Sequence, residues 1–103
     1  MPGPAKPVGL VAGAFTGTGQ SGSVELYGGF NLTLSGPFVA TVKLERSFDN
    51  GSTWLVCSRD TAGNEASYTA PVSLVANEPE AGVIYRLNCT VYTSGTVTYR
   101  LSR

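Results

Sequence analysis

The chain has 103 residues, 42% of them apolar, enough to build one hydrophobic core and too few for two. Seven Lys and Arg are balanced by seven Asp and Glu, and only 14% of residues are charged, against roughly 25% in ordinary soluble domains, so there is no basic field for nucleic acid. No stretch approaches the roughly 18 apolar residues of a membrane span, and the absence of His removes Ser-His-Asp and Cys-His catalysis.

Residues 1 to 20, "MPGPAKPVGLVAGAFTGTGQ", carry Pro2, Pro4 and Pro7 and no apolar run of signal-peptide length. They predict a flexible Pro/Gly-rich arm ahead of a single domain over residues 21–103. Leu10, Val11 and Phe15 are too apolar for a free linker, and mark a segment that packs on a neighbouring subunit. "TGTGQSGS" lacks the Lys that follows a phosphate loop, and it leads into a strand pattern instead of a helix.

From there the period is two. Val24 and Leu26 share one face, Gly28-Gly29 breaks the run, and Phe30, Leu32 and Leu34 share the next. "PFVATVKLERSF" is the longest strand, with Phe38, Ala40, Val42 and Leu44 on one side and Thr41, Lys43 and Glu45 on the other. "TWLVCSR" and the polar loop "DTAGNE" follow, then "ASYTAPVSLVA", whose Pro71 restricts it to an edge or bulged strand, then the turn "NEPEAG". The last stretch, "VIYRLNCTVYTSGTVTYRLSR", reads as a hairpin. Parity predicts an odd-length connection that pairs Val91 with Tyr99 and Cys89 with Leu101 around Gly95. Counting a weaker N-terminal strand in "GLVAGAF", and with no helical periodicity, the expectation is an all-β fold, a two-sheet antiparallel β-sandwich of seven or eight strands, either jelly-roll or immunoglobulin-like.

"SFDNGSTW", residues 47–54, has the spacing Ser-x-Asp-x-Gly-x-Thr-Trp and resembles the Asp-box of sialidase-type β-propellers. In that motif the Asp accepts turn N–H groups, the Gly takes a left-handed conformation and the Trp packs at the base of the hairpin. The resemblance therefore assigns structural turn roles to Asp49, Asn50, Gly51 and Trp54. It does not imply a glycosidase: a propeller needs several four-stranded blades, and this box occurs once without a repeat. Asp49, Asp60, Glu65, Glu78 and Glu80 all fall in or near predicted turns, where carboxylates are ordinarily solvated, so no catalytic pair is expected. Cys57 and Cys89 could form one bridge or stay as thiols, and without a Cys-x-x-Cys pair or His no metal or other cofactor is expected. Asn31, Asn50 and Asn88 head glycosylation sequons, read as a by-product of an Asn- and Thr-rich chain. Tyr68, Tyr92 and Trp54 are the candidates for a sugar-stacking surface.

The Pro/Gly-rich arm, the "SFDNGSTW" hairpin and "EPEAGVIYRLNCTVYTSGTVTYRLS" together resemble the small β-sandwich proteins among the structural genes of tailed bacteriophages, over roughly residues 24 to 103. The resemblance implies a non-enzymatic virion component assembled in the host cytoplasm. It points to a capsid decoration or cement protein whose partners are the major capsid protein and other copies of itself. The alternative is a tail or host-recognition module that binds cell-surface carbohydrate.

Overall fold

The structure, a computed structural model, describes residues 9–103, and the expected arm's first eight residues lie outside that range. The strands are β1 Leu10–Phe15, β2 Gly19–Gln20, β3 Val24–Glu25, β4 Gly28–Ser35, β5 Phe38–Ser47, β6 Leu55–Val56, β7 Ser67–Tyr68, β8 Val72–Glu78, β9 Ile84–Gly95 and β10 Val97–Ser102. They form two antiparallel sheets packed face to face, ordered β1-β10-β4-β8 and β2-β9-β5-β6, with β3 also on β9 and β7 also on β5. Because β2 and β3 share one side of β9, and β6 and β7 one side of β5, ten segments fill eight strand positions.

The pairing is nested: β1 with β10, β2 and β3 with β9, β4 with β8, and β5 with β6 and β7. This is jelly-roll connectivity, which decides between the two sandwich types left open by the sequence. The period-two pattern drives it, because each strand has one apolar face that only the opposite sheet can cover. Phe30, Leu32 and Leu34 of β4 and Val42 and Leu44 of β5 are buried, as are Leu87 of β9 and Leu101 of β10.

Two sequence expectations are corrected. Leu10, Val11 and Phe15 do not belong to an arm: they lie in β1, paired along its whole length with β10 from Leu10↔Ser102 to Phe15↔Val97. Phe15 is buried, its ring 4.6 Å from that of Tyr99, and Tyr99 also lies across Gly13, filling the space beside the residue that has no side chain. Gly19 and Gln20 pair with Cys89 and Asn88, so the domain begins near residue 9, not 21. Gly and Pro content predicted an arm, but the alternation Val11, Gly13, Phe15 suits an edge strand whose partner lies some 90 residues away in sequence, where no local signal reports it.

The terminal hairpin is also corrected. β9 and β10 lie in different sheets: Cys89 pairs with Val42 and Val91 with Thr41, while Tyr99 pairs with Leu34 and Leu101 with Leu32. The chain crosses between sheets at Gly95–Thr96, with Gly95 at φ +87° and the Thr96 N–H donating to the Pro37 carbonyl at 3.0 Å. Parity requires both strands to turn an apolar face inward, and an arch between two sheets satisfies that as well as a hairpin within one.

Candidate functional site

Three polar constellations and one cleft stand out from the apolar core. The first is the turn after β5. Ser47 is fully buried, and its Oγ donates to Asp49 Oδ1 at 2.7 Å while accepting the N–H of Gly51 at 2.8 Å and, more weakly, that of Asp49 at 3.3 Å. Asp49 Oδ1 also accepts the Thr53 N–H at 2.8 Å. The Ser47 hydroxyl and then the Thr53 donors hold the Asp49 carboxyl below the usual carboxylate range. Asn50 (φ +57°) and Gly51 (φ +94°) are both left-handed, the conformation this Asn-Gly pair favours. Trp54 is half-buried on the outer face, its ring beside Gly51 and beneath the Arg86 guanidinium at 4.2 Å. The Asp49 carboxylate is committed to the Ser47 hydroxyl and the Thr53 N–H, and Ser47, outside the four residues assigned from sequence, accepts the Asp49 and Gly51 N–H groups and is the hub of the turn.

The second constellation joins the two sheets. Glu78, at the end of β8, is 1% exposed, contrary to the solvated turn position expected for it. It falls on the inward parity of Val72, Leu74 and Ala76, just as Arg46 continues the inward row of Val42 and Leu44 on β5. Glu78 Oε1 accepts from Arg46 Nη1 at 2.8 Å and from the Tyr85 hydroxyl at 2.5 Å, and Oε2 accepts the Glu80 N–H at 3.0 Å. Burial pushes the Glu78 carboxyl up, but the bonds from Tyr85, Glu80 and Arg46 outweigh it and hold the carboxyl below its ordinary value. Burial and the bond to this carboxylate push the Tyr85 phenol up, keeping it protonated as a donor. No buried side-chain polar atom of the group lacks a partner, which describes an internal clamp between sheets.

The third lies on the outer face of the β9–β5 sheet. Glu45, expected on the solvent side, is covered there: its Oε1 takes Arg86 Nε at 2.8 Å and its Oε2 takes Asn88 Nδ2 at 3.1 Å. Arg86 is thus held between Glu45 and Trp54 and ties the turn to the sheet. Beside it Lys43 pairs with Glu65 at 3.0 Å. The "DTAGNE" loop is organised by Asp60, whose carboxylate accepts the N–H groups of Ala62 and Asn64 and the Asn64 side-chain amide.

The cleft runs along the side of the sandwich where β8 and the β6–β7 segment face each other. One part, of about 320 Å³, is lined by Phe30, Leu44, Arg46, Leu55, Cys57 and Tyr85 among others. An adjoining part of about 230 Å³ reaches Tyr68, Leu74 and Val75. Cys57 and Cys89 are free thiols, and burial pushes that of Cys57 up to about 11, which leaves it protonated and a weak nucleophile at neutral pH. Among the described residues no group of three His, Cys, Asp or Glu is placed to hold a metal ion. Arg46, at the cleft's end, is already neutralised by Glu78.

The three aromatics considered for sugar stacking do not share a surface. Tyr68 and Tyr92 pack against the core, Tyr92 donating to the Gly95 carbonyl at 2.7 Å, while Trp54 sits under Arg86. Comparison of the chain with protein-family models, curated proteins and solved structures finds no match in any of the three. Sequence reasoning missed Glu78, Arg46 and Tyr85 as a unit; the available signal was a charged residue continuing an apolar period-two row on each of two strands.

Proposed function

We propose that the chain is a non-enzymatic virion structural protein, a capsid decoration or cement protein that bridges and stabilises major capsid subunits. The observation that carries this reading is the clustering of attachment features at one end of the jelly roll. Gly9 and Arg103, the first and last described residues, meet there, the Arg103 N–H donating to the Gly9 carbonyl at 3.1 Å, so residues 1–8 attach to the domain at this end. The turns leaving β3, β5 and β8 are at the same end, and two of them expose Tyr27 (46%) and Phe48 (50%). Exposed aromatics beside a chain terminus suit a domain that docks end-on to a larger surface. The commitment of Asp49, Glu78 and Glu45 to internal bonds supports a structural part over a catalytic one, and the resemblance of residues 24 to 103 to small phage virion proteins supplies the setting.

Jelly rolls serve virus capsids and lectins alike, so architecture does not choose between the two functions. The glycan-binding alternative receives less support, because its candidate aromatics are separated and occupied. The test is to add the purified chain to capsids of the phage that carries it, prepared without it, and to measure co-sedimentation and capsid melting. Saturable binding with a raised capsid melting temperature is expected, and deletion of residues 2–8, which spares β1, should lower occupancy while leaving the isolated domain's melt unchanged. Absence of capsid binding together with retention on a glycan array would transfer the assignment to the tail or host-recognition module.

A further inference from the structure

The β8 strand ends its sheet, and among the described residues its outer edge pairs with no other strand. Natural sheets blunt such an edge with Pro, Lys or other charges on the edge, inward-pointing charged residues, bulges or a very short strand. In β8 these devices stand only at the two ends, Pro71 before the strand and the inward-pointing Glu78 and then Pro79 at its close; between Ser73 and Asn77 it pairs with β4 without a register shift and carries neither charge nor Pro. At its centre Val75 is 78% exposed, the most exposed large apolar residue described, and Leu55 across the cleft is 50% exposed. Beneath this edge lies the cleft, whose floor includes the buried side chains of Leu44, Phe30 and Tyr85.

We infer that β8 is a dimer edge, and that it pairs antiparallel with β8 of a second copy across a two-fold axis at Val75. The occupant follows from the self-complementarity of the strand. With the axis at Val75, Val75 meets Val75 and Ser73 meets Asn77 on the outer face, while Leu74 meets Ala76 on the inner face, so apolar lies against apolar and polar against polar in every central pair. Each copy's Leu74 then projects over the mouth of the other's cleft, where Ala76 and Leu74 form the rim. A zero net charge opposes the approach of two copies with no long-range repulsion. The product is one eight-stranded sheet running through both jelly rolls, with both cleft mouths closed by a single symmetric contact. This dimer would form whether or not the chain is a virion protein, so a monomeric result leaves the capsid reading standing, and a failure to bind capsids leaves the dimer standing.

The experiment is light scattering and sedimentation of the full chain over a concentration series, together with two variants at the axis. The wild type should reach twice the 10.7 kDa chain mass. Val75→Lys places like charges side by side and should raise the dissociation constant by roughly tenfold or more, with circular dichroism and melting of the monomer unchanged. Val75→Cys should form an intermolecular disulfide on mild oxidation, because residues opposite each other in an antiparallel pair have Cα atoms about 4.5–5.5 Å apart, within the roughly 4.4–6.8 Å that a disulfide spans. Val91→Lys, on the other sheet at a 55% exposed position, is the control and should leave the dimer intact. A wild type that stays monomeric at the highest concentration overturns the inference. So does a dimer that Val75→Lys leaves unchanged and Val75→Cys does not cross-link.

Discussion

Replacing Glu78 by Gln tests whether the inter-sheet clamp holds the two layers together. The amide keeps the shape of the carboxylate but supplies one acceptor oxygen where the carboxylate supplied two. Whichever way the amide turns, its NH2 faces either the Glu80 N–H or the Arg46 and Tyr85 donors, now bonded at 3.0, 2.8 and 2.5 Å to two different oxygens. Removing one member of a buried pair costs about 3–5 kcal/mol when the other is left dry. Here the Arg46 side chain is 37% exposed and water can take over part of its solvation, which brings the expected cost below that range, to about 2–3 kcal/mol. For a domain of this size that corresponds to a fall in melting temperature of roughly 10–20 °C. Urea and thermal unfolding of Glu78→Gln and Arg46→Met, alone and combined, are the assay, with Glu80→Gln as an exposed control that keeps the backbone donor. The two clamp variants should be strongly non-additive, since each breaks the same interaction. A loss below about 0.5 kcal/mol for Glu78→Gln, or additive losses in the double variant, would refute the clamp.

Phe15→Ala should cost about 3 kcal/mol in urea unfolding, as for other buried rings, whereas a freely hanging arm would tolerate it without change. Ser47→Ala should cost about 1–3 kcal/mol, because the Gly51 N–H and Asp49 lose a buried partner, and the same melts would show a neutral substitution if the hydroxyl were incidental. Acid should destabilise the fold: Glu78 is held below its ordinary 4.5, so its contribution is complete above that pH and is lost as pH falls through the lower folded-state value. Alkali should destabilise it too, since the Cys57 thiol is raised from 9.0 to about 11, and its contribution is complete below pH 9 and lost as pH rises toward 11; a melting temperature flat from pH 8 to 11 would contradict the burial of that thiol.

The alternation of apolar residues was sufficient to read the fold class and most of the inward faces. Leu32, Leu34, Val42, Leu44 and Leu87 are buried where the period of two puts them, because a strand has only two faces and one must be covered. The left-handed Asn50-Gly51 pair is of the same local kind, since such conformations need no partner from elsewhere, whereas the Ser47 hydroxyl at the hub of that turn lies outside the residues assigned from the sequence. Partner choice lay beyond sequence pattern. Nothing in "LVAGAF" announces that β10 will lie beside it, and nothing in the parity of "CTVYTSGTVTYRLS" separates an arch between sheets from a hairpin within one. Glu45 and Glu78 show the same limit in electrostatics. The pattern assigns Glu45 to the solvent face and Glu78 to an inward row that its charge contradicts, and each is buried because Arg86 or Arg46, some 40 and 32 positions away, is brought within 2.8 Å by sheet pairing or sheet packing. What a residue needs is written in its own chemistry, whereas what satisfies it is set by contacts between distant segments, which exist only once the two sheets have closed on each other.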